Sequence, residues 1–188
     1  MLEETNGGWI FILDGDEIWH EDAAKNLRNN LEKVGSSKDC VVVPNYMLIG
    51  DIFHYQNASA GRYKIGEKKG NFNIRAVRKT QGLHVEGIYP NEAYVTEEGI
   101  KVQDLSKEKI MFLETPYLHA SFLKRSSKDN KKVKYEIGER FPKDFYYPEV
   151  FFKSRPSIVP SPWETTSSNY KLRALIETPL KKIKRRII

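Results

Sequence analysis

Residues 9–13 read Trp-Ile-Phe-Ile-Leu, an uninterrupted apolar run set between Asn6-Gly7-Gly8 and Asp14-Gly15-Asp16. A run this short, closed at both ends by turn-forming residues, predicts a buried strand that stops in an acidic turn. From about residue 21 to 34, Ala23, Ala24, Leu27, Leu31 and Val34 recur at three and four positions with charges between them, which predicts an amphipathic helix. After Gly35-Ser36-Ser37, the run Cys40-Val41-Val42-Val43 starts a second strand that continues toward Ile49. Strand, helix, strand is the order of a parallel crossover unit, so the expected class is α/β with a mainly parallel sheet. The first element already carries the acidic turn. An α/β nucleotide-binding fold built on it would lack its earlier strands here, and the expectation is a sheet incomplete at its amino side.

The later chain reads differently. Residues 52–55, 73–77, 109–113 and 117–120 have strand character, and residues 57–70, with Gly, Ser and Lys, read as an exposed loop. This gives a mixed α+β second region. Residues 124–134 form a charge run. Beyond Phe141 the aromatic and proline content rises through Tyr146, Tyr147, Pro148 and Trp163, as in an extended arm packed on the body.

Composition narrows the function classes. With 188 residues and 39% hydrophobic content the chain can bury one ordinary core. No apolar run reaches the roughly 20 residues of a membrane span, and the first residues, Met-Leu-Glu-Glu, lack the pattern of a secretory signal, so a cytoplasmic location is expected. The single Cys40 sits in a strand and reads as core filler. The net charge of +6 is concentrated at Lys181, Lys182, Lys184, Arg185 and Arg186, interleaved with Leu180, Ile183, Ile187 and Ile188. That tail fits contact with an anionic membrane surface, at the inner face of the membrane, at least as well as a nucleic-acid partner, and equally fits a solvated terminus.

Asp14 and Asp16 lie two apart at the carboxyl end of a strand, where open α/β sheets place their ligands. They offer hard oxygen ligands of the kind that hold Mg²⁺ or Mn²⁺ against a diphosphate; they are also suited to turn formation and helix capping. The surrounding residues, Gly7-Gly8-Trp9-Ile10-Phe11-Ile12-Leu13-Asp14-Gly15-Asp16-Glu17, resemble the segment of family 2 glycosyltransferases in which a Gly-Asp-Trp and an apolar strand precede Asp-Ala-Asp-Glu. The likeness runs more loosely through Phe72 to Lys79, Gly82, Glu86 and Asn91-Glu92, to about residue 125. It implies a GT-A fold, with residues 1–125 a partial GT-A domain and residues 126–188 an arm and basic tail. It further implies donor binding at Asp14, Asp16 and Arg125, metal binding at Asp16 and His119, and an acceptor-side general base at Glu92, with Glu86 or His84 in its place. Asn91 stands where the family commonly has His.

The implied activity is metal-dependent transfer of a sugar, with inversion, from a nucleotide-sugar donor to a glycan, lipid or peptide acceptor. The competing expectation is a noncatalytic carbohydrate-binding module whose Tyr146, Tyr147 and Trp163 stack on sugars. Glycine fingerprints of dinucleotide-binding enzymes and phosphate-loop motifs are absent from the sequence.

Overall fold

The computed structural model describes residues 6–34, 37–88, 91–123 and 133–187. In chain order the elements are β1 (Trp9–Phe11), β2 (Glu17–Ile18), α1 (Glu21–Val34), β3 (Cys40–Ile49), β4 (Asp51–Tyr55), β5 (Tyr63–Ile65) and β6 (Lys68–Gly70). They continue with β7 (Phe72–Arg78), β8 (His84–Glu86), β9 (Ala93–Val95), β10 (Ile110–Phe112), β11 (Tyr117–Phe122), β12 (Glu139–Arg140) and α2 (Ser168–Ile187).

The main sheet is organised around β3. Along its first half β3 pairs antiparallel with β7 and parallel with β10; along its second half it pairs parallel with β11 and antiparallel with β4. β1 joins the far side of β7, β2 the far side of β11, and β12 extends β4, all antiparallel. Two small hairpins, β5–β6 and β8–β9, complete the strands.

This corrects the expected α/β fold with a mainly parallel, GT-A-like sheet. Among the described residues most pairings are antiparallel, and only two α-helices are present. β1 and β3, joined through α1, do point the same way, but β7 lies between them and runs against both. The continuous apolar run of β3 reports burial on both faces, and burial does not fix strand direction; the run at residues 9–13, expected as a buried strand, instead has Phe11 and Leu13 exposed, with β1 paired to β7 on one side. Cys40 and Val42 face a core cluster with Ile65, Ile74, Val77, Val102 and Ile110, while Val41 and Val43 face Leu27 of α1 with Ala76 and Tyr117. The alternation is the period of two of a strand covered on both sides.

Residues 57–70, expected as an exposed loop, instead contain a short 3₁₀ turn at Ala58–Ala60 and the β5–β6 hairpin, with Ala60 and Ile65 buried. Gly61 permits this folding back, because a Cβ there would lie 2.1 Å from the carbonyl carbon of Gly70. A glycine read as flexible serves here for close backbone approach. The aromatic arm behaves as the sequence suggests. Phe145, Tyr147, Phe151 and Trp163 pack around Leu48, Ile52, Leu118 and Phe141.

The basic tail is not a loose terminus. Its residues form the second half of α2, whose buried positions Ala174 and Thr178 are four apart. Thr178 Oγ1 donates to the Ala174 carbonyl at 2.6 Å and accepts from the Ile137 amide at 2.8 Å. Arg185 forks onto Glu136, at 2.6 and 2.7 Å, and Gln56 donates to the same carboxylate at 2.9 Å. Burial pushes the Glu136 carboxyl up, but the Arg185 and Gln56 hydrogen bonds outweigh it and leave the group below its ordinary range. Among the described residues no helix is long and apolar enough to cross a membrane.

Candidate functional site

The turn between β1 and β2 places two carboxylates in different surroundings. The Glu17 amide donates to the Asp14 carbonyl at 3.2 Å, closing the turn, and the Ala120 amide donates to the Asp16 carbonyl at 2.8 Å, fixing it against β11. Tyr117, His119 and Ser121 share one face of β11 by the strand period. His119 Nε2 therefore stands 3.3 Å from Asp16 Oδ1, and Ser121 Oγ donates to Asp16 Oδ2 at 2.9 Å while lying 2.8 Å from His119 Nε2.

Behind this trio is Arg75. Its side chain, 6% exposed, extends from the interior of β7 and its Nη2 donates to Asp14 Oδ2 at 2.9 Å and to the fully buried Glu17. The Tyr117 hydroxyl lies 3.2 Å from the same nitrogen. With the Asn73 amide oriented to satisfy both its ends, its oxygen accepts from Tyr117 at 2.7 Å and from Arg75 at 3.0 Å. Trp19 donates to Glu17 at 3.1 Å and stacks on Tyr117 with ring centroids 4.9 Å apart. Burial acts to lower the Arg75 guanidinium, but Tyr117, Glu17 and Asp14 more than reverse this and hold it above its ordinary value. Burial likewise drives the Tyr117 phenol upward, so it remains a neutral donor.

Asp14, Asp16 and His119 open into a cleft of ≈ 1200 Å³. Its remaining wall comes from Gly50-Asp51-Ile52, from Val133 and Tyr135, from the arm at Val159 to Pro162, and from residues 164–170, which run into the first turn of α2. The volume exceeds the several hundred Å³ common for small-ligand pockets and suits an extended ligand or two ligands side by side. Asp51 is buried and fully engaged, accepting from the Phe53 and Thr166 amides and pairing with His54 Nδ1 at 2.6 Å. It ties the arm to the body. Glu164 also lines the cleft and is exposed.

The donor set suits a hard divalent cation in part. Two neighbouring ligands of an octahedral ion, each about 2.1 Å from it, lie about 3.0 Å apart. The 3.3 Å between Asp16 Oδ1 and His119 Nε2 is close to that spacing. His119 Nδ1 is buried without a hydrogen-bond partner, so only the Nε2 side of the ring is supplied with polar company, and that side faces Asp16. Among the described residues no group of three or more His, Cys, Asp or Glu side chains is placed to hold a metal. Any cation here would rest on this pair and on oxygens from a ligand or water.

Other residues singled out in the sequence lie elsewhere. Glu86 ends β8 and Glu92 precedes β9; both are exposed, and neither lines the cleft. His84 pairs with Glu86 across 3.1 Å, and its acceptors, the Gly82 carbonyl and then Glu86, raise its titration above the ordinary imidazole value. Arg125 lies outside the described residues. Of the aromatics considered as sugar platforms, Tyr147 and Trp163 are packed against each other at 5.5 Å in the arm cluster, and Tyr146 alone is exposed. Arg75, Ser121 and Glu164 carry no motif of their own. Arg75 lies in Phe72 to Lys79, within the looser family likeness, and a second signal for it is a charge inside the apolar stretch Ile74-Arg75-Ala76-Val77, where a buried cation demands a carboxylate partner.

A comparison of the chain with protein-family models, with curated proteins and with solved structures gives no match in any of the three.

Proposed function

We propose that the protein is a metal-dependent glycosyltransferase acting on a nucleotide-sugar donor, with the donor diphosphate seated at Asp14, Asp16 and His119. The observation that carries this is the Asp16–His119 pair, 3.3 Å apart, opening into a large cleft. Its context is the likeness of residues 7–17 to the acidic segment of family 2 glycosyltransferases. Bound there, Mg²⁺ or Mn²⁺ would supply a Lewis acid for the charge that grows on a departing nucleoside diphosphate. Ser121 orients the Asp16 carboxylate. Arg75 holds Asp14 at the rim and balances the charge of the buried Glu17 side chain.

Transfer also needs a base to take the proton of the acceptor hydroxyl. We assign this role to Glu164, which lines the cleft, whereas Glu92 and Glu86, favoured by the family likeness, stand on the β8–β9 hairpin. Comparing Glu164→Gln with Glu92→Gln and Glu86→Gln in a turnover assay assigns the role. The primary test is calorimetric binding of uridine, guanosine and thymidine diphosphate sugars with and without Mn²⁺. Metal-dependent binding, lost in Asp16→Asn and His119→Ala, is expected. Absence of nucleotide-sugar binding in both conditions overturns the proposal, and carbohydrate binding that survives chelation and Asp16→Asn indicates a noncatalytic carbohydrate-binding protein instead. The location that goes with this function is the cytoplasm.

A further inference from the structure

α2 turns its apolar side outward. Its inner face is fixed to the body by buried Ala174 and Thr178, by the Arg185–Glu136 fork, and by the Tyr170 hydroxyl, which donates to the Lys134 carbonyl at 2.9 Å. Successive helical residues are 100° apart, so Leu172, Leu175, Ile176, Leu180 and Ile183 fall on a stripe opposite that face. All five are more than half exposed, between 56% and 63%. A surface helix of a globular protein ordinarily shows the reverse, with apolar residues inside and charges outside. Pro179 sits on the same outward side. It has no N–H to donate to the Leu175 carbonyl.

The flanks of the stripe are basic. The helix holds seven Lys and Arg residues against the single Glu177, which is itself paired with Arg173 and Lys181. Lys171, Lys182 and Arg186 border the stripe on one side, and Arg173 and Lys184 on the other. An apolar band between two cationic borders matches the layering of a bilayer surface, with acyl chains beneath anionic headgroups. It does not suit a second copy of the same helix, which would bring like charges together.

We propose that the outward face of α2 binds the surface of an anionic lipid bilayer. The inner anchors keep the helix from rolling to hide its leucines, so the face is presented in the folded protein without rearrangement. Asn169 and Tyr170, in the first turn of the same helix, line the cleft, so binding brings the cleft mouth to the membrane. Resting on the transferase proposal, the acceptor is then a lipid-linked one. The membrane contact itself does not depend on that proposal.

The test is flotation of the whole chain with phosphatidylcholine vesicles and with vesicles containing phosphatidylglycerol, without donor or metal. Binding is expected only with the anionic lipid and weakens with added salt. Leu175→Gln/Ile176→Gln/Ile183→Gln should lower it at least tenfold, with unchanged circular dichroism and melting. Lys171→Gln/Lys182→Gln/Arg186→Gln should lower it by about fivefold per residue. A separate variant, Ile176→Trp, should shift its emission to the blue on anionic vesicles and be quenched by brominated lipid. Unshifted emission, or equal binding to both vesicle types, overturns the proposal. So does concentration-dependent self-association that the apolar substitutions abolish while vesicle binding is absent in the wild type; the face is then a dimer contact.

Discussion

Replacing Arg75 with alanine tests the electrostatic account of the site. The guanidinium is 6% exposed and neutralises Glu17, whose side chain is wholly buried, together with the half-exposed Asp14. Breaking a buried ion pair by removing one partner costs about 3–5 kcal/mol, since the other charge is stranded. The Asp14 contact, at the surface, adds less than about 1 kcal/mol. Trp19 still donates to Glu17, which places the expected loss near the lower end, about 3–4 kcal/mol. Arg75→Ala/Glu17→Gln keeps a neutral amide beside Trp19 and should regain part of this, with a coupling of about 2 kcal/mol or more in the double-mutant cycle. Urea unfolding at neutral pH, followed by tryptophan fluorescence, supplies each corner. A loss below about 1 kcal/mol, or strict additivity of the two substitutions, would refute the idea that Arg75 balances Glu17.

Burial lowers the Lys134 ammonium to about 8, where it lies 4.2 Å above the Phe122 ring. Since the unfolded chain holds that proton up to about 10.5, stability should rise between about pH 8 and 10.5; melting curves of Lys134→Met should lack this rise. Gly61→Ala forces a Cβ onto the Gly70 backbone and should cost about 1–3 kcal/mol in the same urea assay, with Gly8→Ala, which meets no atom within 4 Å, as a control for added volume alone. Cys40, fully buried with its thiol raised to about 12 by burial, should resist a thiol reagent in the native protein and react at once in denaturant.

Much of the local structure was legible. The apolar runs located β3, β7, β10 and β11, and the three-and-four spacing located α1 to its ends, because both signals are set by burial of neighbouring residues; β1 was located but its expected burial was not met, since Phe11 and Leu13 face outward. Strand direction was not legible. It depends on β7 entering between β1 and β3 from more than 30 residues downstream, a pairing no local pattern encodes. α2 was read as a tail because its Leu and Ile residues face solvent and its basic residues dominate the composition. The helical spacing of Leu172, Ile176, Leu180 and Ile183 was present, but without a body-facing stripe it pointed to no packing partner. At the site, Asp16 and His119 were identified separately, and the sequence held no measure of their distance. Glu164 could not be found, since the arm brings it to the cleft across more than 100 residues of chain.

The central position of β3 has a dynamic consequence. Arg75 hangs from one of its neighbours and His119 and Ser121 from another, so the two sides of the carboxylate turn are spaced by a single hydrogen-bonded ladder. Moving them apart would break that ladder at Val41, Val42 and Val43, whose amides should exchange only through global unfolding. The chemical end of the cleft is therefore of fixed width. Adjustment to ligands of different size falls to the opposite wall, where residues 133–135 and the arm at 159–165 lie outside the sheet.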